Sequence, residues 1–154
     1  MTWQFIDIAA ARGNTASMSD TENRTLVQRA LAGLVERRDV AAVAPFMRED
    51  FVHHRPDGDD STKAEWLARV QAAFGPTDGM RVEVLHLLAA DDHVLVHSRR
   101  RLPAPATSAT PAAEVVVVDI VRIEDGLIAE VWEVIEPVAS AAADLEWWAI
   151  GAAA

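Results

Sequence analysis

The residues of this chain best suited to chemistry are an aspartate set among valines, a histidine opposite another histidine, and two adjacent histidines before a turn. Asp119 lies in the run Val115-Val116-Val117-Val118-Asp119-Ile120-Val121, whose β-branched residues favour a strand. The Asp125-Gly126 pair that follows suits a two-residue type I′ turn, which fixes the register of a hairpin. Counting back from it, Glu124 faces Leu127, Val121 faces Glu130, Asp119 faces Trp132 and Val117 faces Val134. This register predicts a cross-strand Asp119–Trp132 pair on the face that carries Val117, Val121, Ile123 and Val134. A carboxyl stripped of water there favours its neutral form, and can serve as a general base near neutral pH or as a neutral hydrogen-bond donor. The plainer alternative is a strand aspartate that pairs with an arginine or faces water.

A second hairpin, turning at Ala90 to Asp92, sets His97 opposite His86 or two residues from it, on one face in either case. An imidazole at His97 could donate to a substrate oxygen or exchange a proton near neutral pH. The neighbouring Arg99-Arg100-Arg101 run reads as a solvated face or as partners for carboxylates. His53 and His54 diverge if their segment is extended, so one at most enters a pocket; His54 is the expected one. No hairpin or helical spacing gathers His54, His97 and Asp119 as ligands, and no metal is expected.

Elements that could position these groups follow from periodicity. Ser19-x-x-Glu22 has the spacing of a capping box and predicts a helix of about five turns, with Leu26, Val27, Ala30, Leu31, Leu34 and Val35 on one side. Asp39 can cap a shorter helix that Pro45 bends or ends. Thr62-x-x-Glu65 repeats the capping spacing, and the helix it opens carries Trp66, Leu67, Val70 and Phe74 to the stop at Gly75-Pro76. Alternation then predicts strands over about 80–90, 93–102, 114–124 and 127–137. The link 103–113 is rich in proline and small residues and reads as a mobile loop or lid. Three helices followed by four antiparallel strands make an α+β layer, with the helices on one face of a curved sheet. The inside of such a sheet holds a core or a pocket. Residues 1–18 read as an N-terminal arm, 19–138 as the folded domain, and 139–154 as a tail carrying Trp147-Trp148.

Composition narrows the function classes. The chain has 154 residues, 51% of them hydrophobic and 25% charged, enough for one packed core. Fourteen basic against 24 acidic residues give a net charge of −10, which disfavours nucleic acid as a partner. No apolar run approaches a membrane span. The first residues lack the basic-then-apolar start of a secretory leader. The absence of cysteine removes thiolate chemistry and fits a reducing cytoplasm, the expected location. Glycine-rich phosphate loops, the G-x-S-x-G elbow and H-E-x-x-H are all missing.

Three stretches carry a family resemblance: FVHHRPDG, DHVLVHSR and above all VVVVDIVRIEDGLIAEVWEVIEP. Together with the order of elements, residues 20–138 resemble the SnoaL-like branch of the nuclear-transport-factor-2-like, cystatin-type superfamily. Asp119, Arg122, Glu124-Asp125-Gly126, Glu130 and Trp132 match its strongest motif, where Val131 replaces a histidine and Glu133 an aspartate. His53-His54-Arg55-Pro56 stands for Gln-His-Asn-Pro, keeping His54 and Pro56, and His97 matches the histidine of the second hairpin strand. The resemblance implies an α+β cone enclosing a pocket. It also implies activities that include polyketide cyclisation, ketosteroid isomerisation, dehydration and epoxide hydrolysis, alongside binding domains without chemistry.

The expectation is a cofactor-independent isomerase, cyclase or lyase acting by proton transfer on an apolar carbonyl compound. Asp119 would be its base, His97 and His54 its oxyanion donors, and Trp132, Trp66, Val117 and Val134 its substrate wall. The alternative is a non-catalytic ligand-binding or interaction domain. The outer sheet face, expected to carry Val116, Val118, Ile120, Val131 and Ile135, would be covered by a second copy, with Glu133 and Arg122 pairing across the twofold.

Overall fold

Helix formation starts where the chain satisfies its own first N–H groups. In the computed structural model, which describes residues 18–103 and 113–138, the Glu22 amide donates to Ser19 Oγ at 3.3 Å. The Ser19 amide donates back to the Glu22 carboxylate at 2.8 Å, and α1 runs Asp20–Ala32. It continues through a wider π turn, Gly33–Arg37, that ends on Arg38 in the left-handed conformation. Gly33 permits the next segment to close in, because a Cβ there would lie 2.8 Å from Val43 Cγ2. Asp39 caps as expected, accepting from the Ala41 amide at 2.9 Å. The expected second helix is two 3₁₀ turns, Val40–Ala42 and Ala44–Phe46, since Pro45 has no N–H to extend the ladder. The second reciprocal cap, Thr62 with Glu65, opens α2 at Lys63–Ala73. The arm before Met18, most of the 103–113 link and the tail with Trp147-Trp148 lie outside the described residues.

Strands β3 (Arg81–Ala90), β4 (His93–Arg101), β5 (Glu114–Glu124) and β6 (Leu127–Pro137) form where alternation predicts them. Two strands add to these, β1 (Met47–His54) and the short β2 (Asp60–Thr62). The sheet order is β2-β1-β6-β5-β4-β3, and β1 runs parallel to β6, so the sheet is mixed and six-stranded rather than four-stranded and antiparallel. Val27 and Ala30 of α1 meet Phe51, Val94, Val96 and Val121 in the buried core. The result is the expected α+β cone, a curved sheet wrapped on N-terminal helices.

Two bulges decide which side chains face the helices. Asp125 and Gly126 have φ of 52° and 75°, as a type I′ turn requires, and Glu124 pairs with Leu127. Ile123 then pairs with Ile128 but Arg122 with Glu130, leaving Ala129 as an extra residue on β6. One extra residue turns every later side chain to the opposite face. Asp119 therefore faces Glu133 instead of Trp132, and Val117 faces Ile135 instead of Val134. On β3, Leu85 is similarly extra, and His86 still opposes His97.

Candidate functional site

Between the helices and the inner sheet face lies a cavity of about 680 Å³. Its wall is mostly apolar, with Leu31, Leu34, Val70, Phe74, Val117 and Ile128 among the contributors, and its polar contributors include His53, Arg100, Asp119 and Glu133. Asp119 is supplied by β5, where Val117, Val121 and Ile123 on the same face are buried. It is itself only 9% exposed. Burial pushes its carboxyl from 3.8 up to about 7, with Glu133 adding to the rise and Arg100 opposing it. Arg100 reaches back along β4 and donates from Nη2 to Asp119 Oδ2 at 3.1 Å. The aspartate thus has an arginine partner and is also buried, combining two arrangements that the sequence presents as alternatives. Arg99 and Arg101 both pair with Glu114, at 3.2 and 3.1 Å.

His53 stands on the other side of Glu133. Its ring is 5% exposed, and neither nitrogen has a hydrogen-bond partner. Nε2 lies 3.9 Å from Glu133 Oε1, and burial holds the imidazole below its ordinary range, with Glu133 pulling the other way. Trp66 of α2 packs edge-on to Phe51 at 5.7 Å and tilts against His53 at 6.1 Å.

Asp119, Trp66 and Val117 share the cavity, but His54, His97, Trp132 and Val134 do not. On β1, buried Phe51 sets the parity, so His53 follows it inward and His54 turns out. His54 Nδ1 lies 2.9 Å from Asp60 Oδ1, and its ring stacks on Trp132 at 5.1 Å. On β4, Val96 is the partner of Asp119, so the adjacent His97 faces outward, where its Nδ1 lies 2.9 Å from that of His86. Trp132 and Val134 are turned out by the Ala129 bulge, and Val134 is 55% exposed. The same bulge places Val131, Glu133 and Ile135 in the cavity wall, not on the outer band. Arg122 is held by Glu124 and Glu130 of its own chain at 2.9 and 3.1 Å and does not meet Glu133. His54 and His97 thus sit across the sheet from Asp119, and among the described residues no three His, Asp or Glu side chains converge on a metal position.

Three site residues escaped the sequence reading. His53 was legible from its spacing, since residues i and i+2 of a strand share a face and Phe51 demands the inside. Arg100 was open to the same parity argument from Val94 and Val96. Glu133 carried no such signal, because its face depends on the bulge.

A family model described as a SnoaL-like domain matches residues 27–131. Comparison with curated proteins gives no match. Among solved structures, the chain is similar to a protein described as a SnoaL-like polyketide cyclase from a Jannaschia species, with 18% identity, a TM-score of 0.67, and coverage of 86% of this chain and 96% of that one. AclR from Streptomyces galilaeus, described as a hydroxylase, aligns with a TM-score of 0.67 and 20% identity over 77% of this chain and 81% of AclR. A protein from Kribbella flavida described as a ketosteroid isomerase aligns with a TM-score of 0.64 and 22% identity over 76% and 79% of the two chains. At these identities the likeness is one of fold.

Proposed function

Because the chain belongs to the SnoaL-like domain family, and its cone holds an apolar cavity with ionisable groups in the wall, we propose that it relocates a proton on an apolar carbonyl compound. The reaction would be of the isomerase, cyclase or dehydratase type, run by side chains without a cofactor. The observation that carries this reading is Asp119: a carboxyl brought to about 7 inside an apolar cavity exchanges its proton at the pH where it works. Arg100 holds Oδ2 and leaves Oδ1 to meet the bound molecule. The guanidinium also supplies positive charge near an oxygen that becomes negative, a role for which a pre-placed donor contributes about 3 kcal/mol. Of the two tryptophans expected in the substrate wall, Trp66 lines the cavity and provides its aromatic surface.

The test starts from native mass spectrometry of the purified protein, to identify any ligand it retains. With that compound, Asp119→Asn is expected to lower turnover by about 10²–10⁴-fold while binding changes little. Turnover equal to that of the unmodified protein would remove Asp119 from the chemistry. The Arg100–Asp119 ion pair would then support the second reading, a ligand-binding domain in which the pair is structural.

No helix among the described residues is long and apolar enough to cross a membrane, and a cytoplasmic place remains part of the proposal. So does a homodimer through the outer sheet face. That face exposes Leu88 (59%), Ile120 (38%) and Val134 (55%) around Trp132, an apolar surface that a second copy can bury by a twofold contact. Sedimentation at micromolar concentration is expected to give twice the chain mass; the mass of one chain would rule this dimer out.

A further inference from the structure

His53 is the unexplained group of the cavity. Leaving a buried polar atom unmet costs on the order of 1–3 kcal/mol, and here both ring nitrogens are unmet. An apolar ring would avoid that cost, as Phe51 does two residues earlier on the same strand face. The imidazole lies in the cavity wall, with Glu133 Oε1 3.9 Å from Nε2. Glu133 in turn is the cross-strand partner of Asp119, and Arg100 holds Asp119. Four ionisable side chains therefore follow one another across the inner face of the sheet. Glu133 is just beyond hydrogen-bond reach, and a small approach lets Nε2–H donate to it. That contact fixes the ring proton on Nε2 and leaves the lone pair on Nδ1; Nδ1 is itself buried, so the same movement of the ring has to open it to the bound molecule.

We propose that His53, oriented by Glu133, is the base of this cavity, accepting the substrate proton at Nδ1, and that Asp119 is the acid. This assignment rests on the proton-transfer reading above and gives that reaction its direction. The C–H bond beside the carbonyl breaks and its proton joins Nδ1. The bonding pair becomes a carbon–carbon double bond, and the carbonyl electrons move to oxygen, which takes the proton of Asp119. Arg100 then faces the new carboxylate. The electrostatics around both groups agree. Burial, Arg55, His54 and Arg69 keep His53 unprotonated against the pull of Glu133, while burial and Glu133 keep a proton on Asp119 against the pull of Arg100. In water the histidine would be the acid of the two and the aspartate the base; the cavity reverses them.

The test uses the intact chain and 5-nitrobenzisoxazole, a flat apolar probe that a single base opens. The base removes the ring C–H proton, the N–O bond breaks, and the electron pair ends on a coloured phenolate. The rate is expected to rise with pH along a limb centred below the 6.5 of an ordinary histidine. His53→Gln is expected to lower it by about 30-fold or more, with a smaller loss in Glu133→Gln. Nitrogen NMR of the unmodified protein at neutral pH, which requires no variant to fold, is expected to show the His53 proton on Nε2, a preference lost in Glu133→Gln. A limb centred near 7 that disappears in Asp119→Asn makes Asp119 the base and overturns this proposal, while leaving proton transfer in the cavity intact. A ring proton on Nδ1, or a rate no greater than that of free imidazole, overturns it as well.

Discussion

Asparagine at position 119 is expected to stabilise the folded protein above pH 7 by roughly 2–4 kcal/mol, while removing the carboxyl on which the proposed chemistry depends. The distance from 3.8 to about 7 corresponds to about 4 kcal/mol of preference for the neutral form in the fold. Below pH 4 the carboxyl is protonated in both the folded and the unfolded chain. Between pH 4 and 7 the unfolded chain has released the proton and the folded chain retains it, so stability falls as pH rises through this window and levels above it. Asparagine is neutral throughout and escapes that loss. The loss of a partner for half-buried Arg100 offsets part of the gain, which sets the lower end of the range. Protonation of His53 acts in the other direction, since a histidine held below its ordinary range costs stability as pH drops through 6.5. That term is shared by both chains and largely cancels in their difference. Urea titrations of the two proteins from pH 4 to 9 measure it: the curves should separate between pH 4 and 7 and run parallel above. A constant separation across the range would mean that Asp119 is not held neutral by burial. Stability given up at a buried carboxyl is the pattern expected of a site shaped for function rather than for folding.

The same residue shows how far a sequence reading carries. Asp119 was legible because its neighbours at i±2 are valines and so declare an inner face. The helices were legible because Ser19-x-x-Glu22 and Thr62-x-x-Glu65 state their own starts. The site as a whole was less so, for reasons local to three strands. On β4, Val94 and Val96 compete with Leu95 for the inside, and that ambiguity let His97 be placed there. On β1, the family motif pointed to His54, although Phe51 two residues before His53 argued for the other parity. On β6, both parities are apolar: Val131 and Ile135 on one, Trp132 and Val134 on the other. Hydrophobic pattern alone could not choose between them, and the turn count chose wrongly because Ala129 is not paired.

Insertion of one alanine after Glu130 is accordingly expected to have an effect far larger than deletion of Ala129. Ile123–Ile128 and Arg122–Glu130 are already successive pairs along β5, so removing the unpaired Ala129 joins them, keeps the Asp125-Gly126 turn and leaves Asp119 facing Glu133. The expected cost of that deletion is about 1–3 kcal/mol, for the packing of one buried residue. An extra residue after Glu130 instead moves every later partner by one, and Asp119 then faces Trp132. Val131, Glu133 and Ile135 would turn outward, and Trp132, Val134 and Glu136 would turn in. Glu136 would bring a carboxyl toward an apolar wall, costing several kcal/mol after relaxation. An indole ring in place of the Glu133 side chain would also overfill the cavity beside Asp119. If β6 instead kept its present faces, the ladder would have to hold a second unpaired residue beside Ala129. The shifted register consumes a large part of the roughly 5–15 kcal/mol that holds a domain of this size together. Far-ultraviolet circular dichroism with thermal melting separates the cases: a cooperative transition for the Ala129 deletion, at a moderately lower temperature than in the unmodified protein, and none for the insertion. Loss of cooperative melting on deletion of Ala129 would show that the pairs beyond the bulge are not those described, and with them the placement of Glu133 beside Asp119 would fall.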